Sequence, residues 1–89
     1  MPRRTLRIRN SLGLHLRPAS LFVTEAGKYQ SQISIYKDEM KADGKSIIGL
    51  VGLAAGKDSR ITIEAVGDDA EQALDALEDL VVRRKFDEE

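Results

Sequence analysis

The sequence has no cysteine and no tryptophan, one histidine, two prolines, two tyrosines and two phenylalanines. Without cysteine there can be no disulfide, no thiolate nucleophile and no cysteine-held metal. With a single histidine besides, a zinc site would rest almost wholly on carboxylates, which is not the donor set zinc selects. No charge of one sign dominates, since 14 Lys plus Arg face 15 Asp plus Glu. The few aromatics are not interleaved with cations, so nucleic-acid binding finds no support. Long apolar runs are missing too. None approaches the ~20 residues of a membrane span, and Met1-Pro2-Arg3-Arg4 runs into a strand pattern with no signal-peptide core behind it. The expectation is a soluble, cytoplasmic, monomeric chain with no metal, no cofactor and no membrane or nucleic-acid partner.

What is present reads as one domain spanning 1–89. A chain of this size buries roughly 60% of its unfolded surface. That suffices for a sheet-and-helix core and leaves little room for a deep cavity, so any chemistry belongs on the surface.

Thr5 to Arg9 alternates, with Leu6 and Ile8 on one face, as a half-buried strand does. Asn10-Ser11-Leu12-Gly13 interrupts it. From Leu16 to Gly27 the residues Ala19, Phe22, Val23 and Ala26 recur at helical spacing. Gln32 to Lys37 alternates again, Asp38-Glu39 turns, and a short strand carries Met40 and Ala42. After Asp43-Gly44, Ser46 opens a short helix to about Leu53, and Arg60 to Ala65 is the cleanest strand. Asp68, with Glu71 three residues on, has the spacing of a capping box. Behind it Ala70, Ala73, Leu74, Leu77, Leu80 and Val81 form a buried helical stripe, and Arg83, Arg84 and Lys85 suit its C-terminal end. The final Asp87-Glu88-Glu89 is expected to be a frayed acidic tail. The order β-α-β-β-α-β-α, with one-sided alternation in every strand, predicts an α+β open-faced sandwich: a four-stranded antiparallel sheet with three helices on one face.

The stretch that carries chemistry is Asn10-Ser11-Leu12-Gly13-Leu14-His15-Leu16-Arg17-Pro18-Ala19. His15 falls where the first helix is capped, and Pro18 suits the first turn because an N–H there has no intrahelical partner. The amides of Leu16 and Arg17 are then left free, and free amides at a helix start attract anions, phosphate above all. Arg17 adds a planar cationic fork on the same turn. The positive helix end is expected to favour an uncharged, nucleophilic imidazole, a bias of about 0.3–1 kcal/mol when exposed. An isolated surface histidine is ordinarily incidental; here the glycine, histidine, arginine and proline agree.

Gly13-Leu14-His15-Leu16-Arg17-Pro18-Ala19 also resembles the G-L-H-A-R-P-A phosphorylation motif of HPr, the histidine-containing phosphocarrier family of the bacterial phosphotransferase system. The resemblance extends over nearly the whole chain. It implies that His15 accepts a phosphoryl group from phosphorylated enzyme I, on the Nδ1 ring nitrogen, and passes it to a IIA protein or domain for sugar uptake. It implies further that Arg17 steadies the phosphate, and that the chain is a substrate of other enzymes, not a catalyst. Leu16 departs from the family's usual alanine or threonine. Its amide and not its side chain would serve the phosphate, so the departure bears on partner fit.

Two further features follow. Ser46, in Asp43-Gly44-Lys45-Ser46-Ile47-Ile48-Gly49, reads either as a plain helix N-cap or, by resemblance, as the regulatory serine that HPr kinase/phosphorylase modifies in some members. If Leu50 and Leu53 face the core, then Ile47, Ile48 and Val51, with Leu16, Ser20 and Leu21 from the first helix, make an exposed apolar docking patch beside His15. Two rivals stay open. One is a nitrogen-branch regulatory carrier, whose chains the Phe86-Asp87-Glu88-Glu89 ending resembles. The other is a binding module switched at Ser46 with His15 idle.

Overall fold

A computed structural model describes residues 2–88. Its strands are β1 (Arg3–Arg7), β2 (Gln32–Lys37), β3 (Met40–Asp43) and β4 (Arg60–Val66), and its helices are α1 (Leu16–Ala26), α2 (Ile47–Gly52) and α3 (Ala70–Glu78). A wider π-type turn, Asp79–Arg83, prolongs α3, and a 3-10 turn, Lys85–Asp87, follows it. The sheet order is β1-β4-β2-β3, antiparallel throughout. Period-2 alternation explains its two faces. Leu6, Ile33, Ile35, Ala42, Ile61, Ile63 and Ala65 are buried on one side under the three helices. On the other side Thr5 and Thr62 share a 3.0 Å hydrogen bond and Arg3 pairs with Glu64 at 2.9 Å. The α+β open-faced sandwich expected from the alternation is the fold observed.

Some local expectations need correction. β1 is shifted two residues towards the N-terminus of the predicted Thr5–Arg9 segment, although Ile8 stays buried and its N–H reaches the Ser59 carbonyl at 2.9 Å. Val23 is half-buried, and Pro18 takes its place on the buried face of α1. Asp68 does not cap α3. Asp69 holds the cap position, and its carboxylate turns away from its own helix to accept the amides of Gln30 and Ser31 and the Ser31 hydroxyl. Tying the α1–β2 loop satisfies more donors than one helix cap would. Glu71 likewise serves Arg4 and not a capping box.

The largest correction concerns the tail, because residues 85–88 are not frayed. Lys85, Phe86 and Asp87 have φ of 50°, 55° and 59°, three left-handed residues in succession. They reverse the chain, so that Phe86 is fully buried and Glu88 comes back over the start of α1. Three left-handed residues together cost about 3–6 kcal/mol, which the burial of Phe86, worth about 1.5–3 kcal/mol, offsets only in part. The Arg84–Asp87 ion pair at 2.8 Å and the contacts of Glu88 supply further stabilisation. Glu89 lies outside the described residues.

Candidate functional site

His15 occupies the N-cap of α1 with extended backbone (φ −80°, ψ −171°), and its carbonyl accepts the first helical bond, from Ala19, at 3.0 Å. Its ring makes no capping bond to the helix. Leu16 and Arg17 hold the first two helical positions, where an N–H has no intrahelical acceptor, and Pro18 in the third has none to offer. Two donors therefore stand open at the helix end beside the imidazole. The His15 side chain is 36% exposed and Arg17 is 64% exposed, so both are within reach of a visiting group.

The loop ahead of the helix is fixed by its own bonds. Leu14 N–H donates to Ala55 at 2.8 Å, and the buried Asn10 amide donates to the Gly13 carbonyl at 2.9 Å. Gly13 has φ +70°, and a Cβ there would collide with the backbone of Ala55 and Gly56. Glycine is thus required twice over, for its dihedral and for its lack of bulk. A shallow cavity of about 270 Å³, lined by Leu12, Leu14, His15, Val51, Ala54, Ala55 and Gly56, opens alongside. It brings the α2 face and the histidine loop onto one surface.

Glu88 is the residue that sequence reasoning missed. Its carboxylate oxygens lie 3.1 and 3.2 Å from His15 Nε2, and one is 3.4 Å from Arg17 Nη1. Asn10 Nδ2 donates to the other at 3.0 Å. Burial opposes its charge, yet the bonds from Asn10 and His15 and the nearby Arg17 hold the Glu88 carboxyl below the usual carboxylate range. A negative charge therefore faces the ring, alongside the positive helix end and Arg17 that the sequence suggested. The one signal that pointed to this return was Phe86, a large aromatic alone among charges.

The expected docking patch is partly present. Leu16 is 66%, Ile48 86% and Val51 39% exposed, and Leu12, not anticipated, is 73% exposed. Ile47 and Leu21 pack against the core and Ser20 is half-buried, so these three contribute little free surface. Ser46 is the N-cap of α2: its Oγ accepts the Gly49 amide at 3.1 Å. Among the described residues no group of three carboxylate or histidine side chains could hold a metal ion.

A family profile described as the PTS HPr component phosphorylation site matches residues 2–83. The chain belongs to the HPr family. Its HPr relatives include the phosphocarrier protein of Pseudomonas aeruginosa, 42% identical over 99% of this chain and 98% of that one. The HPr-like protein Crh of Halalkalibacterium halodurans is 43% identical over 86% of this chain and 92% of its own. A solved HPr from Thermoanaerobacter tengcongensis superposes with a TM-score of 0.94 at 45% identity, covering 100% of this chain and 99% of that one. Another structure from the same organism, at TM-score 0.75 and 42% identity over 96% and 98% of the two chains, is titled an HPr dimer. An HPr phosphocarrier of the phosphotransferase system hands on a phosphoryl group and is not itself an enzyme. No helix among the described residues is long and apolar enough to cross a membrane.

Proposed function

We propose that this chain carries the phosphoryl group on His15, receiving it from phosphorylated enzyme I and passing it to IIA proteins for sugar uptake in the cytoplasm. The observation that carries this is the placement of the imidazole at the helix start, beside the two free amides of Leu16 and Arg17 and the Arg17 guanidinium. A phosphoryl group on the ring would meet donors already aimed outward and anchored by the helix, so little reorganises on transfer. The chain has no deep pocket or metal cluster of its own at this point among the described residues. The partner must therefore supply most of the transition-state stabilisation. Leu12, Leu16, Ile48 and Val51 form the apolar surface it would cover, in a small transient interface below ~1,200 Å².

Incubation with enzyme I and phosphoenolpyruvate, followed by mass spectrometry, tests the reading. The expected product is one acid-labile, base-stable phosphate on His15, absent from His15→Ala while that variant keeps its fold. Full uptake by His15→Ala would overturn the assignment.

The likeness to Crh proteins, one of them titled the Bacillus subtilis catabolite repression HPr, favours a second, regulatory reading, in which Ser46 phosphorylated by a kinase would be the switch. Labelling at Ser46 alone, with ATP and kinase and none from enzyme I, would point to it. The open helix start at His15 and Arg17 favours the carrier over a module switched at Ser46. Relatives crystallise as dimers as well, so the oligomeric state expected here, a monomer, is a proposal that sedimentation checks.

A further inference from the structure

We propose that Glu88 is a positioning residue for phosphoryl transfer, holding the single ring proton of His15 on Nε2 so that Nδ1 presents its lone pair. The inference rests on the carrier reading for its purpose but on separate observations for its geometry. Both Glu88 oxygens bracket Nε2, at 3.1 and 3.2 Å. A carboxylate can only accept, so a neutral imidazole in this contact must place its N–H at Nε2. The other nitrogen is then unprotonated and able to attack.

The carboxylate is itself held. Its side chain is 16% exposed, and the fully buried Asn10 amide forks between the Gly13 carbonyl at 2.9 Å and Glu88 Oε1 at 3.0 Å. Asn10 thereby links the loop that sets His15 to the tail that orients its ring. Phe86, fully buried two residues earlier, anchors the segment from the other side. The order is that of a carboxylate–histidine pair in which a second residue orients the first.

The arrangement also suits the charge that moves. When the Nδ1 lone pair forms the bond to phosphorus, the bond from phosphorus to the donor breaks and its electron pair leaves with the donor. The ring keeps its Nε2 proton and becomes cationic. A carboxylate already desolvated at 3.1 Å stabilises that cation more than the neutral ring, so the contact strengthens along the reaction. Arg17, 3.4 Å from the same carboxylate, is the group that can turn to the arriving phosphate.

The test is Glu88→Ala with Glu88→Gln beside it, read in two ways. In the free protein, nitrogen-15 NMR of the imidazole should show a protected Nε2–H in the parent. In Glu88→Ala that proton should exchange rapidly, with the amide spectrum otherwise unchanged away from the site. In transfer assays Glu88→Ala should take up phosphate from phosphorylated enzyme I about tenfold more slowly, the lower end of what losing such an orienting partner does. Glu88→Gln, which keeps an acceptor without the charge, should restore the protected proton and only part of the rate. An Nε2–H equally protected in Glu88→Ala, or a parental rate in that variant, would overturn the proposal. If the parent itself takes up no phosphate, the carrier reading fails instead, and the NMR result still decides whether Glu88 fixes the tautomer.

Discussion

At the residue scale, Ser46 shows how one side chain can serve structure and still be open to regulation. Its Oγ satisfies the Gly49 amide, one of the donors left over where α2 begins. Ser46→Ala should lower stability by about 1 kcal/mol in denaturant titrations, the usual value of an N-cap. Ser46→Asp keeps an acceptor at the cap and adds a negative charge next to the exposed Ile48. That variant should fold normally and accept phosphate from enzyme I several-fold more slowly at low salt, because a rim charge acts on the association rate. Unchanged low-salt kinetics would remove Ser46 from the docking surface. The same serine in the sequence allowed both readings, since capping and phosphorylation use one hydroxyl.

At the scale of elements, the tail behind α3 is where sequence and structure part. Strands and helices were legible because Ile33 and Ile35, or Ala70, Ala73, Leu74 and Leu77, repeat with a period that only one kind of element can bury. The start of α1 was legible for a similar local reason: Gly13, His15 and Pro18 each have a positional preference that agrees with the others. The segment 85–88 has no period. Its conformation depends on three left-handed residues in succession, which sequence rules disfavour for lysine and phenylalanine, and on the burial of Phe86 against distant elements. The cap of α3 was misplaced for the same kind of reason, because Asp69 is committed to Gln30 and Ser31, 39 and 38 positions away. We expect Phe86→Ala to lower stability by about 3 kcal/mol and to release the tail. Amide exchange at residues 84–88 should rise to that of an unstructured peptide, while β4 stays protected. Retained protection there would show that the polar contacts alone hold the segment.

At the scale of the molecule, three carboxyls join elements that are far apart in the chain. Hydrogen bonds from Ser31 and the Gln30 amide hold the Asp69 carboxyl below the ordinary range, tying the α1–β2 loop to α3. The Arg3 hydrogen bond does the same for Glu64, against its burial, across the β1–β4 pair. Glu88 closes the tail on the site, the bonds from Asn10 and His15 outweighing burial. Each is more acidic folded than unfolded. The stabilisation they give is therefore complete above the ordinary carboxyl range, near pH ~4, and is lost as pH falls through their folded values. The thermal midpoint should be flat from neutral pH to about 5 and fall steeply below about 4. Asp69→Asn, with less to lose on protonation, should start lower and show a shallower acid decline. An equally steep decline in that variant would assign the acid sensitivity elsewhere.

The return of Glu88 to His15 also has a practical side for anyone producing the protein. A purification handle fused directly behind Glu88 would begin next to the residue that touches the imidazole whose labelling is to be assayed. Placed at the amino end, where the Pro2 carbonyl accepts the Ala65 amide at 3.1 Å, the same handle avoids that particular conflict.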